Sequence, residues 1–580
     1  MRATVDWSYA LLPPVLQTVL ARISLFAGAF TLDSAQRMIG GGGMARGQVT
    51  AAIGELVDKS LLCAIPNLPQ MQYRLLDTIR AYARDRLVES GTNREWRGRH
   101  ARHVLEIFRT AEKFAAQRVE IDWSRTFGLY LDDLRAAIDW GFSEDGTPAI
   151  AIELVVVSIA ASMQFSMIEE CLRRVDAALN ALGRLAAGRG DSLPLAEWEM
   201  KLRAARGAGL LFRSVGNHTS EAFAAALSLA EKAGDIEYQL RGLWGCWSHA
   251  YLNGSYIEAL SIAARFAEVA ARSRWSSDRM VARRMAAISH LCLGRLGEAL
   301  AELEHIRIPD DHSSRAERVR FLYDERSMTH SVLAQAFAFL GRRDDAALAA
   351  QQALDDAQAL DHTASICYAL SEAVCPTALL RDDSAALGLA VRALIEATRR
   401  HGVSTWKARA EMWRGLLALR AGRVDAYEAS IAPSLDEIGD ARYCVVLAAY
   451  LSETATGLAR LGRIIEASEL LDHAIARATR RRDAFSWVEL LRAKADVLLM
   501  QGHSEGLRLA TIILPNVLHI AREQGFVAWE ARCRRSFEWM RHVIGTSPAA
   551  AAMLESTMPK LPDCLDFPLA TVGPVRRATA

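Results

Sequence analysis

The residues near the start of the chain that could hold a phosphate backbone lie between Arg94 and His103. This ten-residue stretch contains four arginines, two histidines and one tryptophan. Arginine side chains donate hydrogen bonds to phosphate oxygens, so the stretch is a candidate for holding a nucleic-acid backbone. A solvated helix start at a domain junction is the alternative, and it is the interpretation we favour. The candidate phosphate contacts are Arg94, Arg97, Arg99 and Arg102.

A nucleotide-binding loop is absent from the sequence. Such a loop needs a glycine-rich turn that leads into Gly-Lys-Ser or Gly-Lys-Thr at a helix N-terminus, where amides and the lysine meet the phosphates. Neither tripeptide occurs, and the glycine run Gly40–Gly43 leads instead into Met44-Ala45-Arg46-Gly47. We therefore expect a flexible connector at the glycine run.

The remaining polar residues show no pattern of a catalytic or metal site. No His-Glu-x-x-His, Gly-x-Ser-x-Gly or dinucleotide fingerprint is present, and the 14 histidines are dispersed. Asp132 and Asp133 are adjacent on a predicted helix, where neighbouring side chains point about 100° apart, so they form no acid–base dyad. We expect a protein that is not an enzyme and that uses neither a cofactor nor a metal.

The composition predicts a helical, cytoplasmic protein. Hydrophobic residues make up 51% of the 580 positions, and prolines number only 15. The 69 basic and 68 acidic residues nearly cancel, whereas nucleic-acid-binding domains usually carry a basic surplus.

The nine cysteines are scattered, which is typical of reduced, buried thiols in a cytoplasmic protein. No signal peptide is recognisable. The most apolar stretch, Ala149–Phe165, contains Glu153 and has the length of a core helix, so we expect no membrane span.

A glycine that returns at a fixed interval organises the second part of the chain. The interval is 40 positions, with one place, Arg381-Asp382-Asp383, where the same turn lacks its glycine, and one longer step of 47 positions before Gly341. A constant period in this range indicates a repeat array whose units pack on their neighbours. The recurring glycines are Gly254, Gly294, Gly341, Gly422, Gly462 and Gly502.

A second turn alternates with the first. It consists of a glycine or aspartate, three further residues and an aromatic residue that begins the next helix. A glycine at the end of a helix adopts the left-handed conformation that satisfies the last carbonyls. The two turns together predict two antiparallel helices of roughly 15 to 18 residues per unit. The aromatic residues, which we expect to wedge between units rather than to bind a ligand, are Tyr238, Trp406, Trp487 and Trp529.

The first ninety residues do not follow this period. Apolar periodicity and turn residues predict three helices, a β-hairpin and a further helix, which together make a winged helix. The predicted helices are Pro14–Phe26, Thr31–Ile39, Val49–Ser60 and Asp77–Glu89, and the hairpin strands are Leu61–Ile65 and Met71–Leu76. The helix in the reading position offers only Glu55, Asp58 and Lys59 as charged groups, so packing against a neighbour is favoured over reading a DNA groove.

Four stretches resemble a known family. They are WSYALLPPVLQTVLARISLFAGAFTLDSAQRMI, ELVDKSLL, YRLLDTIRAYARDRL and YLDDLRAAIDW. They are similar to the winged helix of bacterial STAND-type (NB-ARC-like) ATPase regulators and to the segment that joins it to a tetratricopeptide-like array. In that family an ATPase domain precedes the winged helix, often with a DNA-binding domain before it. The resemblance implies that the array receives a signal and that the winged helix restrains the ATPase.

The resemblance raises a question about the start of the chain, because Met1 lies next to a family block. We expect a truncated gene, a split gene or a misassigned start. Translating the DNA upstream of Met1 tests this expectation, since an in-frame Gly-Lys-Ser or Gly-Lys-Thr loop would restore a complete regulator. An unrelated neighbouring gene would leave a stand-alone adaptor.

The sequence thus predicts a mainly α fold with a winged helix followed by an α-solenoid of tetratricopeptide-like helix pairs. The predicted divisions are a winged helix over 1–92, a helical connector over 93–194, the array over 195–545 and a largely disordered tail over 546–580. The predicted function is that of a regulatory or sensor protein whose array binds a protein, a peptide or a small effector, with an ATPase domain as a candidate partner in trans. The alternative is a winged-helix regulator that binds DNA itself.

Overall fold

A computed structural model describes most of the chain. The described residues are 2–40, 44–66, 71–119, 121–165, 167–186, 194–213, 217–306, 315–401, 404–425, 427–430 and 445–545. Several predicted segments lie wholly or partly outside these residues. They are the connector at Gly40–Gly43, the hairpin turn, the stretch Gly188–Pro194, whose glycines and proline predict a linker, the second type of turn at Gly402, and the tail after residue 545. The chain forms two compact units, one of residues 1–209 with 314–316 and one of residues 210–313 with 317–580.

The first unit begins with the predicted winged helix. Its three short strands form an antiparallel sheet in the order β1-β3-β2. Its helices are α1 (Arg2–Ala10), α2 (Pro14–Ile23), α3 (Leu32–Gly40), α4 (Arg46–Asp58) and α5 (Asp77–Glu89), and its strands are β1 (Phe30–Thr31), β2 (Cys63–Ile65) and β3 (Gln72–Arg74). The sequence did not predict α1 or β1, because a two-residue strand such as Phe30–Thr31 shows no periodicity.

Apolar side chains from α2, α3 and α4 form the core of this domain. Val19, Ile39, Ile53 and Leu56 are almost fully buried there. Helix α4 begins three residues before its predicted start, at Arg46, because the Gln48 side chain accepts a hydrogen bond from the Ala45 amide at 2.9 Å and caps the first turn.

Five further helices complete most of the first unit, and a buried aspartate ties them to the winged helix. Asp133 Oδ1 accepts from the Ala27 amide at 2.7 Å and lies 3.0 Å from His100 Nε2. Asp132 is exposed and pairs with Arg135 at 2.9 Å, so the two adjacent carboxylates diverge as predicted. The helices are α6 (Asn93–Ala116), α7 (Trp123–Phe127), α8 (Leu131–Gly141), α9 (Pro148–Gln164) and α10 (Ile168–Ala186).

The rest of the described chain is the helical array, which confirms the predicted fold class. Its helices are α11 (Leu195–Arg213), α12 (Asn217–Ala233), α13 (Ile236–Leu252), α14 (Tyr256–Ala271), α15 (Ser276–Cys292), α16 (Leu296–Glu304), α17 (Arg315–Arg318), α18 (Glu325–Phe339), α19 (Arg343–Ala359), α20 (Thr363–Ala369), α21 (Cys375–Leu380), α22 (Ser384–His401), α23 (Ser404–Arg420), α24 (Val445–Arg460), α25 (Ile464–Arg481), α26 (Ala484–Gln501), α27 (Ser504–Glu523) and α28 (Val527–Gly545).

The recurring glycines lie where the first helix of each pair turns into the second. All six have φ between +70° and +80°, the left-handed conformation that ends a helix. Asp382, at the place where the glycine is missing, adopts the same conformation with φ +61°. The period of the sequence therefore corresponds to one corner of each helix pair.

The stretched step in the period corresponds to a change in one pair. Helix α16 has 9 residues, whereas the second helices α14 and α19 have 16 and 17. Between α17 and α18 the chain is irregular. We call residues Arg318–Asp324 the strap.

One helix of the array is interrupted by a π-helical turn. Helix α20, the π turn Leu370–Val374 and helix α21 run without a break from Thr363 to Leu380. Pro376 lacks the amide hydrogen that would bond the Glu372 carbonyl four residues earlier. Gln335 Nε2 on α18 donates to that carbonyl instead, at 2.7 Å. The π turn thus follows from the proline, and a neighbouring helix supplies the missing donor.

The same stretch is apolar and long enough to cross a membrane. It has 18 residues and a mean hydropathy of 1.3, and 78% of it is buried inside the protein. A mostly buried core helix of a soluble protein passes the same test of length and composition. The stretch that the sequence singles out, Ala149–Phe165, also lies in a core, since Ile152, Leu154 and Val155 on α9 are buried.

We expect Gln335→Ala to destabilise the array by about 1–2 kcal/mol, because it leaves the buried Glu372 carbonyl without a donor. In a Pro376→Ala background, residue 376 regains its amide hydrogen, so the same substitution should cost less. Urea unfolding of the four proteins of this double-mutant cycle measures the coupling. Equal costs in both backgrounds would show that the two residues act independently.

Candidate interaction surfaces

The four candidate arginines lie on one helix, α6, but spread over about 200° around its axis, since successive residues are about 100° apart. Arg94 and Arg102 are exposed. Arg97 Nε donates to Asn93 Oδ1 at 3.1 Å. Arg99 is engaged as well, because its guanidinium lies 3.3 Å from a Glu95 oxygen and 4.7 Å from the centre of the Trp96 ring. Two of the four side chains are therefore held by their own helix.

The aromatic and imidazole groups of this stretch face the interior. Trp96 is 3% exposed and packs under the guanidinium of Arg22 at 3.8 Å. His100 is buried against Asp133, and burial lowers the pKa of His103 to about 4, so His103 is neutral at pH 7. The predicted basic surface thus shrinks to Arg94 and Arg102, and the periodicity of the helix explains why the other groups turn inward.

The outward face of α4 would be the reading face of a DNA-binding winged helix. It carries small residues and two carboxylates, while Arg46 and Gln48 occupy its first turn. Nothing lies within 4 Å of the place where a side chain would project from Gly47 or Gly54. This face has few long donors for phosphates or base edges. The exposed residues of α4 are Arg46, Gly47, Gln48, Thr50, Ala51, Gly54, Glu55 and Asp58.

Large apolar side chains are exposed on the winged helix. Trp7 and Leu11, one helical turn apart, are 68% and 64% exposed. Ile65, the last residue of β2, and Leu76, two residues after β3, line a pocket of about 140 Å³ together with four neighbours. Large apolar side chains that are exposed at neighbouring positions, as in these two pairs, are candidates for a protein docking site. The exposed apolar residues of this domain are Trp7, Leu11, Val15, Ile65, Met71, Leu76 and Val88.

The aromatic residues that begin the first helices are mostly core residues, as predicted. Trp406, Trp487 and Trp529 are at most 5% exposed, and Tyr238 is half-buried. The buried cysteines of the chain behave alike, since burial raises the pKa of Cys171, Cys367 and Cys533 to about 12. These thiols are therefore protonated at neutral pH and poorly reactive.

Charged side chains connect successive first helices inside the array. Glu453 on α24 lies 2.8 Å from Arg420 on α23 and 2.7 Å from Arg532 on α28. Arg532 also reaches Glu489 on α26 at 2.9 Å, and Glu489 pairs with Arg492. These ion pairs join the first helices α23, α24, α26 and α28.

The strap crosses the first helices of several pairs. Arg320 and Phe321 reach back to α13, α14 and α15, whereas the Tyr323 ring lies 5.1 Å from Tyr368 and 6.1 Å from Trp406. No motif or periodicity in the sequence singles out these residues. The only signal was the long step of 47 positions in the glycine period.

The comparisons with known proteins bear on the first part of the chain. Residues 12–88 match the family of winged helix-turn-helix domains. This segment is a winged helix-turn-helix domain. A protein of Mycobacterium tuberculosis that carries the name HTH-type transcriptional regulator is 32% identical over 157 residues, which are 27% of this chain and 17% of that protein. An uncharacterized protein of Mycobacterium bovis is 38% identical over 105 residues, 18% of this chain and 27% of that protein. The match thus spans less than a third of either relative.

Two solved structures are similar to larger parts of the chain at 13% identity. A Rap protein in complex with competence and sporulation factor matches 63% of this chain and 99% of its own, with a TM-score of 0.42. A STAND protein with a tetratricopeptide repeat sensor from Pyrococcus horikoshii matches 75% of this chain and 66% of its own, with a TM-score of 0.37. Scores below 0.5 carry no conclusion about what this chain binds.

Asp483 precedes helix α26 and caps its first turn. We expect Asp483→Asn to stabilise the protein by about 2 kcal/mol at pH 7.5. Burial raises the pKa of Asp483, which caps α26 through the Ser486 amide at 2.9 Å, to about 6. A carboxyl group whose pKa is raised by folding stabilises the folded state fully below its unfolded pKa of 3.8. This stabilisation is lost as the pH rises through 6, the pKa in the folded state. Asparagine keeps the cap without the charge, so the gain should vanish near pH 4.

Asp235→Asn is the control, because Asp235 makes the same cap bond to Tyr238 at 3.0 Å from a half-buried position. Urea unfolding at both pH values measures the effect.

Proposed function

We propose that this chain is the signal-receiving part of a transcriptional regulator and has no catalytic role. In this proposal the helical array binds a protein, a peptide or a small effector. The winged helix docks on another protein, for which an ATPase domain in trans is the candidate, and does not read DNA. The observation that carries the proposal is the surface of the winged helix, which exposes large apolar side chains and whose α4 has small and acidic residues on its exposed face after Arg46 and Gln48 in the first turn.

The match to winged helix-turn-helix domains supports a regulatory role in general. The packing inside the first unit supports a structural role for this domain in particular. Asp133 joins α8, α6 and the segment after α2, so the winged helix is fixed to the connector by a buried polar contact. A domain held in this way can pass a movement of the connector to whatever docks on its exposed apolar side chains.

The alternative is a regulator that binds DNA through α6. It rests on Arg94 and Arg102, which are exposed and long enough to reach phosphates. Two cations are few for DNA binding, because the affinity of a protein for the DNA backbone grows with the number of phosphates that its cations neutralise.

Fluorescence anisotropy with mixed-sequence duplex DNA at physiological salt distinguishes the two proposals. Our proposal predicts no binding tighter than about 1 µM, the upper range of non-specific association. The matched variants are Arg94→Ala/Arg102→Ala and Arg508→Ala/Arg534→Ala, which removes two exposed arginines of the array. Tight binding that only the first double variant abolishes would establish the DNA-binding alternative.

A further inference from the structure

The strap differs from the other described turns between helix pairs. It belongs to the one step of 47 positions in a period of 40. Within it Leu322 adopts φ +73°, a conformation that is strained for a residue with a branched side chain. This residue turns the chain so that Phe321 and Tyr323 contact different helix pairs. The strap is therefore an added segment that is held in an unfavourable backbone conformation by its side-chain contacts.

Arg320 of the strap is a buried cation that two helices of the array bind. Its side chain is 4% exposed and forms a paired contact with Glu237 on α13, with distances of 3.0 Å from Nε to Oε1 and 2.5 Å from Nη2 to Oε2. Its other terminal nitrogen contacts Asp278 on α15, a carboxylate that is 1% exposed. Two carboxylates from separate helices thus hold one guanidinium, which is the geometry of a binding site for arginine.

Phe321 occupies an aromatic site beside that ion pair. It is 2% exposed, and its ring stacks on Trp244 at a centroid distance of 5.7 Å and an interplanar angle of 24°. The ring of Phe266 on α14 meets it edge-on at 5.9 Å. The array therefore offers a cleft of carboxylates next to an aromatic platform, and the strap places an arginine and a phenylalanine in it.

Arg320 brings a positive charge into contact with two acidic side chains of the array. The array side contributes the carboxylates of Glu237, Asp278 and Glu325 and the guanidiniums of Arg241 and Arg284. Without the strap, the buried carboxylate of Asp278 and the part-exposed carboxylate of Glu237 would lose the guanidinium that contacts both, an arrangement that attracts another positive group. Arg284, 1% exposed, pairs with Glu325 through Nη2, while its Nε and Nη1 have no hydrogen-bond partner. These donors remain available to carbonyl oxygens of a peptide.

We propose that the cleft formed by α13, α14 and α15 is a recognition site for an extended peptide in which a basic residue directly precedes an aromatic one. The strap is its internal occupant, and a partner segment with the same chemistry binds by displacing it. This inference rests on the proposed function, because it gives the peptide-binding role of the array a location and a ligand class. Occupancy by the strap lowers the apparent affinity for the partner in proportion to the fraction of time that the cleft is filled.

A labelled copy of the strap tests the proposal. The probe is a fluorescein-labelled peptide with the sequence of residues 318–324, Arg-Val-Arg-Phe-Leu-Tyr-Asp, and the protein is the full chain. The variant Arg320→Gln/Phe321→Ala empties the cleft. We expect it to bind the peptide at least about tenfold more tightly than the wild type does. Asp278→Asn in the emptied background should abolish binding, and so should a peptide in which glutamate replaces the second arginine.

A folded variant, judged by circular dichroism, that does not bind the peptide would overturn the proposal. If the variant fails to fold, hydrogen exchange of the wild type decides. An excess of unlabelled peptide should then speed amide exchange in residues 318–324, and unchanged exchange contradicts displacement. An array that binds a partner equally well with the strap present and with the cleft emptied would preserve the proposed function and refute this inference.

Discussion

Replacement of Glu453 by glutamine is expected to lower the free energy of unfolding of the array by about 3 kcal/mol. Glu453 is largely buried between α23, α24 and α28, where Arg420 and Arg532 bind its two oxygens at 2.8 and 2.7 Å. Glutamine preserves the shape of the side chain but removes the charge that both guanidiniums face. The loss is large because both guanidiniums lose a carboxylate partner in a largely buried site, where among the described carboxylates Arg532 keeps only Glu489 and Arg420 keeps only the longer contact to Asp382.

The pH dependence of Glu453 gives an independent measure of the same interaction. Burial alone would raise the pKa of this carboxyl, but Arg532 and Arg420 outweigh burial and lower it to about 2. A depressed pKa contributes stability above the unfolded value, near 4.5, and this contribution is lost as the pH falls toward 2. The difference between wild type and Glu453→Gln should therefore be constant from pH 8 to pH 5 and shrink below pH 4.5.

Urea unfolding followed by circular dichroism at pH 7 and pH 3.5 measures both effects. Glu505→Gln is the matched control, because Glu505 pairs with Arg508 three residues later on the exposed side of α27. This control should show no measurable change, since exposed ion pairs contribute little. A loss for Glu453→Gln no larger than that of the control would mean that the buried network does not hold the array together.

The helix pairs were predictable because their signals are local in the sequence. Each corner is marked by a residue that ends a helix within one turn, such as Gly254, or Asp382 where the glycine is missing. The winged helix was predictable for similar reasons, since turn residues separate its helices from the hairpin. Its first strand was missed because two residues carry no periodicity, and helix α1 because its pattern is weak.

The contacts inside the array were not predictable, because they join residues far apart in the sequence. Arg532 and Glu453 are 79 positions apart, and Arg320 and Glu237 are 83 apart. A charged residue within a helix pattern usually marks the solvent side, so these arginines gave no sign that they are buried. The strap was visible only as a long step in the period. Periodicity identifies which helices pair but not which side chains meet across several pairs.

The recurring glycines do more than end helices, and Gly294→Ala is expected to destabilise the array by about 3 kcal/mol or more. An added Cβ at Gly294 would lie 2.6 Å from the ring of Phe526, which precedes α28, so it would clash across the array. Gly422→Ala is the matched control, because Gly422 has φ +72° against +73° for Gly294 and nothing within 4 Å of the added atom. The control isolates the cost of the left-handed backbone, about 1–2 kcal/mol.

The excess loss of Gly294→Ala over Gly422→Ala, measured by urea unfolding, therefore reports the contact between the corner of α15 and the turn before α28. Phe526→Ala should reduce that excess, because it removes the ring that the new methyl group meets. Phe526 also packs against Phe485 at 5.0 Å, and Phe485 lies 4.7 Å from Phe339 at the end of α18. Equal losses for the two glycine variants would show that the late helices do not rest on the earlier corners. A larger loss at Gly294 would establish that the array is held by contacts between distant pairs as well as between neighbours.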